Sequence, residues 1–85
     1  MNTLDDSIVT AKVKTGLHKN AVVQALQIHV ETHSGIVQLS GVVDDSNKPL
    51  AVAQIATAGQ IAAGVEGVNG VINHLIPKKL NSQGS

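Results

Sequence analysis

The sequence of 85 residues has no cysteine, no phenylalanine, tyrosine or tryptophan, and no arginine. Without cysteine it can form no disulfide, thiolate nucleophile or cysteine-based zinc site. Without aromatic side chains it has no platform on which unpaired bases can stack, and no aromatic anchors for a bilayer interface. Six lysines are balanced by six carboxylates, so no net positive field attracts nucleic acid. These absences argue against a nucleic-acid-binding protein.

Long apolar runs are also missing, because no segment approaches the roughly 20 apolar residues that span a bilayer. The first residues, MNTLDDS, lack the basic and apolar regions of a secretory signal peptide. We therefore expect either a cytoplasmic protein or a mature segment that begins with an added methionine. The length suffices for one domain with a modest core.

Hydrophobic periodicity predicts two helices and three strands. Val9, Val13 and Leu17 recur every four residues, as on the apolar side of a helix. Residues 26–30 alternate between apolar and polar side chains, as in a half-buried strand. The predicted elements are a helix over Asp5–His18, strands over Leu26–Thr32 and Ile36–Val43, a helix over Asn47–Ala63, and a strand over Val71–Ile76.

The order of these elements predicts an α+β fold of the order αββαβ. Both helices should cover one face of a three-stranded mixed sheet, with a right-handed crossover through the second helix. We expect residues 1–4 to be an extension, residues 5–77 to be the domain, and residues 78–85 to be a disordered polar tail once Pro77 has ended the last strand. The inner side of the alanine-rich second helix is predicted to carry Leu50, Ala53, Ala56 or Thr57, and Ile61.

Three glycines are predicted to be required by the fold. Gly35 lies in the turn between the first two strands, and Gly67 precedes the last strand. Gly41 lies inside a strand, which suggests a bulge or the close approach of a helix. Gly64 is expected to end the second helix with a positive φ.

Alternation along the strands also predicts what lies on the open face, the side of the sheet away from the helices. A continuous exposed apolar area is unusual for a monomer and is typical of a partner surface. A register shift of one residue in the third strand would instead turn its apolar side chains inward. The four side chains predicted to form this interaction surface are Ile36, Val42, Ile72 and Ile76.

No catalytic or metal-binding constellation is evident in the sequence. His29 and His74 should both point away from the helices, and they would approach each other only if the first and third strands were neighbours. A zinc ion would still need further ligands, for which only Glu31 or Asn73 stands near. No serine stands beside an obvious base, and the carboxylates are single or lie in turns. We therefore expect no enzyme, no cofactor and no metal site.

Taken together, the motifs resemble those of the BON domain, a small module named for bacterial osmotically inducible and nodulation proteins. The resemblance is carried by GIVxLSG over residues 35–41, by GVxxVxNxL over residues 67–75, and by the acidic start of the first helix at Asp5 and Asp6. It extends over about residues 5–77. The segment between the two motifs is a few residues longer than is usual in the family.

The resemblance implies a non-enzymatic binding module of the bacterial periplasm or cell envelope, associated with osmotic stress and with attachment to phospholipid membranes. For this chain we expect Lys12 and Lys19 on the first helix, with Lys78 and Lys79 in the tail, to attract an anionic membrane weakly.

Two alternatives follow from the same resemblance and from the open face. One is docking to an envelope protein, or weak self-association, through the open face. The other is potassium sensing, as in a cytoplasmic relative, by oxygens around Asp44 and Asp45 or in the loop of residues 64–70.

Overall fold

The computed structural model describes residues 5–79, which form two helices and one sheet of three strands. This confirms the predicted α+β fold and its αββαβ order. Residues 1–4, the expected extension, and residues 80–85 of the expected tail lie outside the described residues. The elements are α1 (Asp6–Lys19), β1 (His29–His33), β2 (Ile36–Asp44), α2 (Lys48–Ala63) and β3 (Gly70–Lys78).

The sheet is mixed, with β2 in the centre. β1 and β2 form an antiparallel hairpin, while β2 and β3 run parallel and are joined through α2. The register places His29 opposite Ser40, and Ser40 in turn opposite His74. The first and third strands are therefore not neighbours.

The two helices pack side by side on one face of the sheet. α1 lies against β1 and α2, and α2 lies against β2 and β3. Alanine on α2 lets that helix approach the sheet closely, and the core contains only small and aliphatic side chains. The buried apolar residues are Val9, Val13, Leu17, Val23, Val30, Val37, Leu39, Val43, Ala51, Ala58, Ala62 and Leu75.

An aspartate pair fixes the start of α1. The side chain of Asp5 caps the helix by accepting a hydrogen bond from the backbone N–H of Ser7 at 2.8 Å. Hydrogen bonds from the Ser7 hydroxyl and N–H lower the pKa of the Asp5 carboxyl. The Asp6 carboxylate accepts from the N–H groups of Ser34 and Gly35, at 2.8 and 3.0 Å. Asp6 thus ties α1 to the hairpin turn.

The predicted inner side of α2 is right for Ile61, which packs against the core, but wrong for Leu50 and Ala53. The buried residues of the helix are Ala51, Ala58 and Ala62, whereas Leu50 is 46% exposed and Ala53 is exposed. Apolar residues occur almost all round this helix, so periodicity does not select a face. The smallest side chains face the sheet because they allow the closest packing.

Helix α2 ends at Gly64, but not in the expected conformation. Gly64 has a φ of −85°, in the right-handed region, and its N–H bonds to carbonyls of the last turn. The positive φ occurs three residues later, at Gly67 (+95°). The reversal that leads into β3 therefore depends on Gly67.

β3 runs through Pro77 instead of ending before it. The N–H of Asp45 donates to the carbonyl of Lys78 at 3.1 Å, so the backbone of Lys78 faces β2. The nitrogen of Pro77 then points to the free edge of the sheet, where a missing donor costs no ladder hydrogen bond. Lys78 belongs to β3, and the prediction that it begins a disordered tail is wrong.

Neither the bulge nor the close approach of a helix that was predicted at Gly41 is present. The pairing of β2 with β3 is continuous through Gly41, so there is no bulge, and the closest approach is not from a helix. A Cβ atom at Gly41 would lie 2.9 Å from the backbone carbonyl oxygen of Gln27, in the segment that enters β1. Together with Gly35 (φ +82°) and Gly67, Gly41 (φ +143°) is one of three positive-φ glycines in residues 5–79.

A Gly67→Val variant is expected to lose about 1–3 kcal/mol of unfolding free energy, because a β-branched residue is strained at positive φ. Thermal unfolding followed by far-ultraviolet circular dichroism measures this. Gly67→Asn is the control, since asparagine tolerates the left-handed region better. An unchanged melting temperature for the valine variant would contradict the prediction.

Candidate functional site

Apart from the row of Asp44 and Lys78 at its far end, the open face of the sheet carries ten side chains. Alternate residues of each strand point away from the helices and are exposed or half-buried. On β1 they are His29, Glu31 and His33; on β2, Ile36, Gln38, Ser40 and Val42; on β3, Ile72, His74 and Ile76.

The apolar side chains predicted for this face all lie on it. Val42 and Ile76 are direct neighbours in the β2–β3 register, and they are 43% and 56% exposed. Ile72 is 38% exposed and lies two residues before His74 on β3. Ile36 reaches over Gly70, where an added Cβ would meet its Cδ1 atom at 3.1 Å. The apolar residues therefore line β3 and the adjoining side of β2, interrupted by the row of His74 and Ser40.

The β1 side of the open face is polar. Nε2 of His29 lies 2.9 Å from one carboxylate oxygen of Glu31, and Nε2 of His33 lies 3.4 Å from the other. A hydrogen bond from His29, and to a smaller extent one from His33, lowers the pKa of the Glu31 carboxyl. Because this pKa is lowered in the fold, the pairing stabilises the protein above the ordinary carboxyl pKa, and the contribution disappears as the pH falls through the lowered value.

This grouping was not predicted, although the sequence contains its signal. His29, Glu31 and His33 stand at alternate positions, which places them on one face of a strand. The signal is the alternate spacing of the three residues, which is lost when each histidine or carboxylate is considered alone.

His29 and His74 are not brought together. β2 lies between their strands, and Ser40 stands between the two histidines in the same row. Within residues 5–79 there is no group of three or more histidine, cysteine or acidic side chains arranged to hold a metal ion.

The four predicted membrane-binding lysines do not form one group. Lys12 and Lys19 are exposed on α1, which packs over β1 and beside α2. Lys78 ends β3, and the alternation of that strand puts its side chain on the open face, next in line after Ile76. Lys79 follows directly. Only the second pair of lysines adjoins the exposed apolar side chains of the open face, whereas Lys12 lies one helical turn from the exposed Ile8.

A shallow groove of about 690 Å³ runs between α1 and β1. Its charged lining consists of Asp5, Asp6 and Lys14 from the helix with Glu31 from the strand, and His33 lies at the same edge. Neither of the two helices in the described part of the chain has the length and apolar character needed to cross a bilayer.

The sequence is similar to those of known proteins. The family model of the BON domain matches residues 5–78. Osmotically-inducible protein Y of Escherichia coli (strain K12) is 39% identical over 74 residues, which is 87% of this chain and 34% of that protein. The chain thus spans about a third of the length of this curated relative. The match covers all five elements, and the chain belongs to the BON domain family.

Proposed function

We propose that this chain is a non-enzymatic binding module of the bacterial periplasm or cell envelope that attaches weakly to anionic phospholipid membranes during osmotic stress. Membership of the BON family supports the kind of module. The similarity to Osmotically-inducible protein Y of Escherichia coli supports the link to osmotic conditions.

The observation that carries the membrane proposal is the exposed apolar strip beside β3. Ile72, Ile76 and Val42 present aliphatic surface on one face, and Lys78 and Lys79 border it at the end of the strand. The strength of binding at a membrane surface scales with the apolar area buried and with the electrostatic attraction to anionic lipid, and this face offers a small amount of each.

The attachment is expected to be weak. Each lysine near an anionic surface contributes about 1 kcal/mol. Asp44 is the register neighbour of Lys78, and Glu31 lies on the same face, so negative charges oppose the lysines. Without aromatic side chains, the aliphatic residues are the only apolar anchors.

Lys12 and Lys19 were the first two of the four lysines predicted from the sequence to bind the membrane. These lysines lie on α1, where the nearest exposed aliphatic side chain of the helix is Ile8. The open face has more exposed apolar surface, and for that reason we place the membrane contact there.

Charge-reversal variants distinguish the two surfaces. Lys78→Glu/Lys79→Glu is expected to weaken binding to vesicles containing phosphatidylglycerol about tenfold or more, while the matched Lys12→Glu/Lys19→Glu variant binds nearly as wild type. The measurement is vesicle co-sedimentation at low and physiological salt, with detection on gels because the chain lacks aromatic absorbance. The opposite ranking would assign the contact to α1.

Docking to an envelope protein through the same face is the second candidate, because exposed apolar surface suits a protein partner as well. Wild-type protein that binds no vesicle under any salt condition would contradict the membrane proposal and favour this candidate. Potassium sensing stays a prediction from the sequence.

A further inference from the structure

Three of the four histidines in the chain lie on the open face. His29 and His74 flank Ser40 in one row, and His33 stands beside Ile36 next to the hairpin turn. All three are exposed, and the side chains of His29 and His33 are 67% and 71% accessible. Histidine is the side chain whose charge ordinarily changes between about pH 5 and 8. The face that carries the apolar strip therefore also carries a set of proton-binding groups.

Protonation reverses the sign of charge on this part of the face. When the imidazoles are neutral, Glu31 is the sole charged group among these ten side chains, and Asp44 and Lys78 in the row beyond them carry opposite charges. When they are protonated, His29, His33 and His74 oppose that single carboxylate with three positive charges. The resulting positive charge favours binding of this face to an anionic surface.

The neighbouring elements do not cancel this change. At the edge of β1, the N-cap Asp5 and the α1 residues Asp6 and Lys14 line the groove together with His33 and Glu31, so two carboxylates and one lysine face this part of β1. Both aspartates already accept hydrogen bonds, Asp5 from the N–H of Ser7 and Asp6 from N–H groups of the hairpin turn.

The central strand and the far end of the face add little charge. In the rows that contain the histidines and Glu31, β2 contributes only uncharged residues, which are Ile36, Gln38 and Ser40. At the end of the sheet Asp44 and Lys78 are register neighbours of opposite charge. The histidines therefore decide how the charge of the face responds to pH.

We infer that the open face is an acid-activated docking surface for anionic phospholipid. The inference rests on the proposed function and adds its regulation. At neutral pH the apolar strip contacts the membrane beside Glu31, whose negative charge opposes binding. At mildly acidic pH, protonated His29, His33 and His74 add electrostatic attraction to the same contact.

The test is co-sedimentation with phosphatidylglycerol–phosphatidylcholine vesicles at about pH 7.5 and about pH 5.5, on either side of the ordinary imidazole range. Wild type is expected to bind about tenfold or more tightly at the lower pH, since each added charge near the surface strengthens binding several-fold. A His29→Gln/His33→Gln/His74→Gln variant should lose that increase and keep its binding at the higher pH. The matched control is His18→Gln, which removes the remaining histidine from an exposed site on α1 and should keep the full increase.

The outcomes separate the inference from the proposed function. Wild-type binding that is equal at the two pH values overturns the inference and leaves membrane attachment standing. An increase that survives in the triple variant, or that is lost in His18→Gln, also overturns it. Absence of binding at both pH values overturns the proposed function and the inference together. Binding to pure phosphatidylcholine vesicles that rises equally with acid would show that the lipid charge is not recognised, and would overturn the inference.

Discussion

A Gly41→Val variant is expected to lose about 3 kcal/mol or more of unfolding free energy, because backbone strain and a steric clash add at this position. Gly41 has a φ of +143°, a conformation that residues with a side chain rarely adopt. A Cβ atom there would lie 2.9 Å from the carbonyl oxygen of Gln27. That oxygen belongs to the backbone, so no rotamer change can relieve the contact.

A loss of this size should be visible in the whole unfolding curve. A domain of this length has a total stability of about 4–13 kcal/mol. Urea unfolding followed by far-ultraviolet circular dichroism should therefore show a much lower midpoint for Gly41→Val. Gly64→Ala is the matched glycine control, since Gly64 has a φ of −85° and the nearest atoms to an added Cβ are 3.5 and 3.7 Å away. Equal midpoints for Gly41→Val and wild type would show that the strand adjusts without cost.

The sheet could be predicted closely from the sequence because alternation leaves little choice of face. Val30, Val37 and Leu39 are buried as period two requires, and the intervening residues lie on the open face. The apolar residues of the open face followed from the same rule. Turn glycines marked where the hairpin and the entry to β3 lie.

The sequence-based predictions that were wrong concern features that tertiary contacts determine. Leu50 and Ala53 were wrongly placed on the inner side of α2 because that helix is apolar nearly all round, and only packing against the sheet selects Ala58 and Ala62. The backbone that approaches Gly41 comes from Gln27, and no local pattern indicates that contact. Pro77 reads as a strand end until the free edge of β3 is known.

The candidate site was only partly predictable for a related reason. Which lysines share a surface depends on the tertiary structure. Lys12 lies on α1, which covers one face of the sheet, whereas Lys78 lies on β3 with its side chain on the opposite face. The strand order decides that His29 and His74 are two strands apart. By contrast, the His29–Glu31–His33 grouping follows from local alternation and was available from the sequence.

An Asp6→Ala variant is the second substitution expected to have a large effect. The Asp6 carboxylate is half-buried and accepts two backbone hydrogen bonds, from Ser34 at 2.8 Å and Gly35 at 3.0 Å. Both turn residues have a positive φ (+52° and +82°), as in the tight turn of a two-residue hairpin. The carboxylate also lies in the first turn of α1, where the helix dipole favours a negative charge.

The expected loss for Asp6→Ala is about 3 kcal/mol, since hydrogen bonds to a charged group contribute about 1.5–3 kcal/mol each and their effects here overlap. Gly35 is buried, so its N–H would lack a partner in the variant. Urea unfolding measures the loss, and amide hydrogen exchange should show faster exchange at Ser34 and Gly35. The control is Glu66→Ala, which removes an exposed carboxylate from the loop before β3. If Asp6→Ala and Glu66→Ala unfold at the same urea concentration, the link between α1 and the hairpin turn contributes nothing, and apolar packing alone holds the helix against β1.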